Sequence, residues 1–131
     1  MTAILVVVHS ITAVLLVFLV LLHSGKDAVA RYTPRPTQIG YPERVHGGLI
    51  GMLVDEMLVY AGAPHGLWGM TAKVRYWLRR PIPVGQELTL RGRLVQQSER
   101  GFRAVVTIHL PGDVLAAEGE GMCVRREAPM P

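Results

Sequence analysis

The chain has 131 residues, 50% of them apolar, and a formal net charge of +4. That length holds one compact domain, and the single cysteine, Cys123, excludes an intrachain disulfide and any cysteine-rich zinc site. The arginines are scattered among strand-like segments and form no block, so the basic balance reads as a solvated sheet face and not as a nucleic-acid patch.

The first 25 residues contain no Asp, Glu, Lys or Arg, and nearly every position is Val, Leu, Ile, Ala or Phe. As a helix, residues 2–22 would run about 31 Å, close to the bilayer's hydrocarbon thickness of about 30 Å. His9, Ser10 and Thr12 interrupt the run without forming a polar stripe. Three readings compete: a membrane anchor, a cleaved signal peptide and a buried helix of a soluble protein. Ala28-Val29-Ala30 suits a cleavage site, but a positive start is missing. Lys26, Arg31, Arg35 and Arg44 follow the run and would hold that side in the cytoplasm. The expectation is a single-pass protein of the cell membrane with a cytoplasmic domain; the alternative is a cytoplasmic protein. Leu15-Leu16-Val17-Phe18-Leu19-Val20-Leu21-Leu22-His23-Ser24-Gly25-Lys26 resembles the first transmembrane helix and following Ser-Gly-Lys of SecG, a small subunit of the bacterial preprotein translocase, and makes residues 1–25 a SecG-like helix. That resemblance implies contact with the translocase. No second membrane helix follows, so it implies a fragment joined to a different domain.

Residues 28–33 suit the end of a strand, after which Pro34, Pro36 and Pro42 keep the chain extended or turning. Over 46–61 the pattern turns helical, with Leu49, Ile50, Leu53, Met57 and Leu58 at helical spacing and Gly62 and Pro64 ending the run. Four strands are predicted next, over 70–78, 87–97, 102–110 and 114–124. Arg100-Gly101 and Pro111-Gly112-Asp113 supply hairpin turns. One helix followed by consecutive antiparallel strands reads as α+β, the helix packed on one sheet face.

The chemistry concentrates at His46-Gly47-Gly48 and Asp55. Two glycines at a helix start allow close backbone approach, and their N–H groups stand at the positive end of the helix dipole. Such a start can polarise a carbonyl without any side chain. Asp55 and Glu56 sit mid-helix in an apolar stretch, where a carboxylate is either a surface residue or a base raised by burial. His46 and Asp55 are nine residues apart, about 13 Å along one helix. They cannot serve one bond within a protomer, so an antiparallel partner helix, and hence a dimer with two equivalent sites, is required. His9, His23, His65 and His109 show no spacing for a metal, and Trp68, Tyr76 and Trp77 read as core or interface.

A wider resemblance joins these parts. Arg31-Tyr32-Thr33-Pro34-Arg35-Pro36, Gly40-Tyr41-Pro42, His46-Gly47-Gly48, Asp55, Arg75-Tyr76 and Arg79-Arg80-Pro81-Ile82-Pro83-Val84-Gly85 occur in this order, followed by Leu88-Thr89-Leu90-Arg91-Gly92. The series is similar to the phenylacetic-acid-type (PaaI-like) branch of hotdog-fold acyl-CoA thioesterases. The resemblance implies a hotdog domain over 46–126, with 26–45 as linker and remnant of the first strand. It implies an acyl-CoA substrate, a homodimer or dimer of dimers, and no cofactor. Asp55 would act as base or nucleophile, the Gly47 N–H would polarise the carbonyl, His46 would shape the helix start and Thr71 would position the attacking water. Gly48, Glu56, Arg79 and Arg80 would contact substrate, the arginines at the coenzyme A phosphates. Two features depart from the family: Gly40 replaces an asparagine, and the apolar start stands where most of the first strand should be. Two other functions stay open: a SecG-like translocase component, and a hotdog domain that binds acyl thioesters without cleaving them.

Overall fold

A computed structural model describes residues 27–125. The expected membrane helix over 2–22, with its membrane and translocase contacts, lies outside the described residues. Among those described, no helix is long and apolar enough to cross a membrane.

The sheet has five antiparallel strands in the order β1-β5-β6-β7-β4: β1 (Ala28–Tyr32), β4 (Gly69–Leu78), β5 (Leu88–Gln97), β6 (Gly101–Leu110) and β7 (Val114–Arg125). A small separate hairpin pairs β2 (Ile39–Tyr41) with β3 (Arg44–Val45). The four predicted strands after the helix are all present, each within two residues of its expected bounds. β1 joins the sheet as a five-residue strand, Ala28 opposite Gly92 and Tyr32 opposite Leu88. The hairpin is not legible in a proline-rich stretch with no alternation. Its turn puts Glu43 at φ 62°, backbone that glycine usually supplies, and Val45 N–H donates to the Ile82 carbonyl at 2.8 Å to tie it down.

The helix α1 (Gly47–Tyr60) lies across one face of this sheet. Ile50, Leu53, Val54, Met57 and Leu58 point inward at the spacing of one helix face. They meet Leu88, Leu90, Val106 and Ile108, all at most 1% exposed. The helix can lie this close because β7 presents Gly119 and Gly121 beneath it. A Cβ at Gly121 would stand 2.6 Å from Leu58 Cδ1 and 2.5 Å from the Lys73 carbonyl oxygen. The fold is therefore α+β, a central helix on an antiparallel sheet, as expected.

Candidate active site

His46 begins the site. Its backbone is extended at φ −61°, ψ 131°, and its Nδ1 accepts the Gly48 N–H at 2.8 Å. Histidine thus does the work usually given to Ser, Thr, Asp or Asn at a helix start. Glycine at 48 permits it, since a Cβ there would lie 2.9 Å from Nδ1. Two free amides were expected here; only that of Gly47 has no acceptor among the described residues. Gly40, where the family carries asparagine, packs against the His46 ring, 3.0 Å from where its Cβ would be. Gln38 is spent elsewhere: its Oε1 accepts from the Tyr32 hydroxyl and the Arg35 N–H, both at 2.8 Å.

Two turns further along α1, Asp55 is half-buried. Its Oδ1 is shut off from solvent and accepts no hydrogen bond among the described residues. A buried carboxylate oxygen left unpartnered costs free energy that a fold normally avoids. Asp55 and Gly48 line the same open groove between α1 and β4, about 590 Å³ in volume, together with Met52, Thr71, Val74 and Tyr76.

Thr71 reaches that groove through a defect in the sheet. Along β4, Lys73, Arg75 and Trp77 pair with Met122, Glu120 and Glu118, while Val74, Tyr76 and Leu78 pair with Gly121, Gly119 and Ala117 on the helix side. Simple alternation would put Thr71 with the first set. The register shifts between Thr71 and Lys73, so Thr71 pairs with Cys123 and turns to the helix face. There its side chain stands beside the Cys123 thiol. Burial pushes the Cys123 thiol up, the neighbouring Thr71 side chain pulls it back, and the nearby Asp55 charge raises it again. Asp55, Thr71 and Cys123 are therefore neighbours, drawn from a helix and two strands.

The remaining predicted residues lie around this centre. Burial raises the Glu56 carboxyl from its ordinary 4.5, and the adjacent Asp55 adds to the effect. Arg79 is engaged: its Nη2 is 3.2 Å from Glu118 Oε1, and its guanidinium stands 5.6 Å from the centre of the Trp77 ring. Arg80 lines two shallow grooves beside Arg44 and Pro81. The chain gave no sign of Tyr76 or Cys123 as site residues. Alternation along β4 places Tyr76 on one sheet face, but only the register with β7 shows that α1 covers that face.

No protein-family model matches the chain, and neither does any curated protein. Solved structures do match, thioesterase-superfamily proteins among them. One thioesterase-superfamily protein is 30% identical with a TM-score of 0.73, over 78% of this chain and 53% of that one, so this chain spans about half that protein's length. The PaaI protein of the E. coli phenylacetic acid degradation operon is 22% identical with a TM-score of 0.71, over 76% of each chain. A Streptococcus pneumoniae hypothetical thioesterase, solved with coenzyme A, is 18% identical with a TM-score of 0.72, over 76% of this chain and 78% of that one. That protein was also solved with an aspartate and, sixteen positions on, a threonine each replaced by alanine. The helix-on-sheet arrangement is consistent with the hotdog fold.

Proposed function

We propose that the chain is an acyl-CoA thioesterase, releasing free acid and coenzyme A at a site completed by a second copy of itself. The observation that carries this reading is the groove lined by Thr71, Gly48 and Asp55, whose buried Oδ1 accepts no hydrogen bond among the described residues. Asp55 and Thr71 are sixteen positions apart, the spacing of the two residues altered in the streptococcal thioesterase, which supports giving them paired roles.

Water held by the Thr71 hydroxyl attacks the thioester carbonyl carbon while Asp55 takes its proton. The carbonyl oxygen gains negative charge, which the Gly47 N–H at the positive end of α1 stabilises. The C–S bond then breaks, and the departing thiolate recovers the proton from Asp55. No second acid is needed. Gly47 and Asp55 are eight residues apart, about 12 Å on one helix, so the N–H that serves a given Asp55 belongs to the partner's helix. The edge strand β4 carries apolar side chains such as Leu78, 53% exposed, and supports an interface on this side. Arg80, with Arg79 beside it, meets the coenzyme A phosphates, and Gly48 and Glu56 border the bound thioester.

Thiol release from a panel of acyl-CoAs tests the reading. Asp55→Asn removes the proton acceptor and is expected to lower turnover by about 10²–10⁴-fold. Since Asp55 Oδ1 has no partner to lose among the described residues, the variant should melt no lower than the parent. Full turnover by Asp55→Asn would sink the mechanism.

A further inference from the structure

We infer that the Tyr76 ring sets the size limit on the acyl group taken at this groove, an inference that rests on the thioesterase reading above. Tyr76 stands on the helix-facing side of β4, opposite Gly119. Its ring occupies the place where a side chain at Gly51 would be: a Cβ there would meet Tyr76 Cζ and the hydroxyl oxygen at 2.7 Å and Cε1 at 2.8 Å. The hydroxyl donates to the Gly47 carbonyl at 3.3 Å. One glycine receives the ring and another residue of the same helix holds its tip. Gly51 lies four residues after Gly47 and four before Asp55, so the ring sits midway along α1 between Asp55 and the helix start.

A ligand lying along the groove from Asp55 toward the start of α1 must therefore stop at this ring or displace it. The walls beside Asp55 are Met52 and Val74, with Lys73 as the cation of the lining. An apolar approach suits a hydrocarbon acyl group better than the polar arm or phosphates of coenzyme A, because burying amide or phosphate groups against Met and Val leaves them unpaired. The aromatic side chain is large and, anchored at Gly51 and Gly47, it is a poor candidate for yielding to a longer chain. Tyr76 lines this groove and is 38% exposed in the single chain, so a ligand in the groove meets it.

The test is binding of non-hydrolysable acyl-CoA thioether analogues of increasing acyl length to the full chain, measured by titration calorimetry. The parent should lose affinity beyond a definite length. Tyr76→Ala should move that limit to longer acyl groups and tighten the first excluded analogue about tenfold, the order of discrimination a shaped apolar pocket supplies. Tyr76→Leu keeps apolar cover on Gly51 and should give an intermediate limit, which guards against an alanine variant that packs poorly. Tyr76→Phe retains the ring and should keep the parent's limit. An unchanged limit in both Ala and Leu variants would overturn the inference, as would a Phe variant that behaves like Ala. Binding is read without turnover. Bound analogues with no hydrolysis of true thioesters would sink the enzyme reading alone, while a parent that binds none of the analogues would overturn both.

Discussion

The two edges of the sheet are built to different standards. At one edge, β1 buries Ala28 and Ala30 and completes the wall behind β5. At the other, none of the ten residues of β4 is buried, although the strand includes Val74, Tyr76, Trp77 and Leu78. The same apolar residue types thus finish a core on one side and stay partly exposed on the other. The helix α1 buries the inward residues of β5, β6 and β7; it also lies over β4, but there the inward residues stay partly exposed. This difference separates the part of the molecule that folds from the part that acts. Changes under α1 should register as lost stability, and changes along the α1–β4 groove as lost or altered activity at unchanged stability, with Asp55→Asn the extreme case of the second kind.

The largest effect on the folding side should come from Leu53→Ala. Leu53 is fully buried on the inward face of α1, and truncating such a leucine costs about 2–5 kcal/mol through lost burial and the cavity left behind. Urea unfolding should show that loss, while kcat measured well below the melting transition stays near the parent's. A cost under about 1 kcal/mol would mean that the core repacks freely and that the contrast between the two sides is overstated. Gly121→Ala probes the seam between them. Its new methyl would press on Leu58 and on the Lys73 carbonyl, and overpacking of this kind costs about 1–3 kcal/mol. Because Lys73 belongs to the strand that carries Thr71, this variant alone of the folding-side changes should also lower turnover.

The helix, the four strands after it and the α+β class were legible because their signals are periodic: apolar spacing over 46–61, alternation around Leu88, Leu90 and Leu94, and glycine turns between strands. Asp55 and the helix-start glycines could be read too, since the helix alone sets their separation. What could not be read depends on register. Thr71 faces the site only because β4 shifts register beside it, and no residue type announces that irregularity. The β2–β3 hairpin was hidden for a related reason, since Glu43 takes positive φ where a glycine would have marked the turn. The family resemblance singled out Thr71 as the residue that would position water, but the physical reason it lines the same groove as Asp55 lies in the cross-strand pairing.

The smallest expected effect concerns Glu56, which stands on α1 next to Asp55 and was read from the family as a substrate contact. Its carboxyl is raised above 4.5, first by burial and second by the Asp55 charge. The folded chain therefore holds this proton more tightly than the unfolded chain does. The stabilisation is fully present below pH 4.5 and is lost as pH rises through the higher folded-state value; above that, the ionised carboxylate works against the fold. Glu56→Gln should accordingly melt above the parent at pH 7 and lose that advantage at pH 4. Tyr60, whose hydroxyl is raised by burial and then by the Glu56 charge, should ionise at lower pH in the same variant, an independent spectroscopic check that the charge at 56 has gone. Turnover decides what kind of residue Glu56 is. An unchanged KM beside the altered stability would assign it to the folding side, its carboxyl tolerated next to Asp55 without contacting the thioester. A raised KM with unchanged kcat would instead extend the acting surface along α1 by one residue beyond Asp55, because loss of binding without loss of rate marks a contact made equally in the bound thioester and in its transition state.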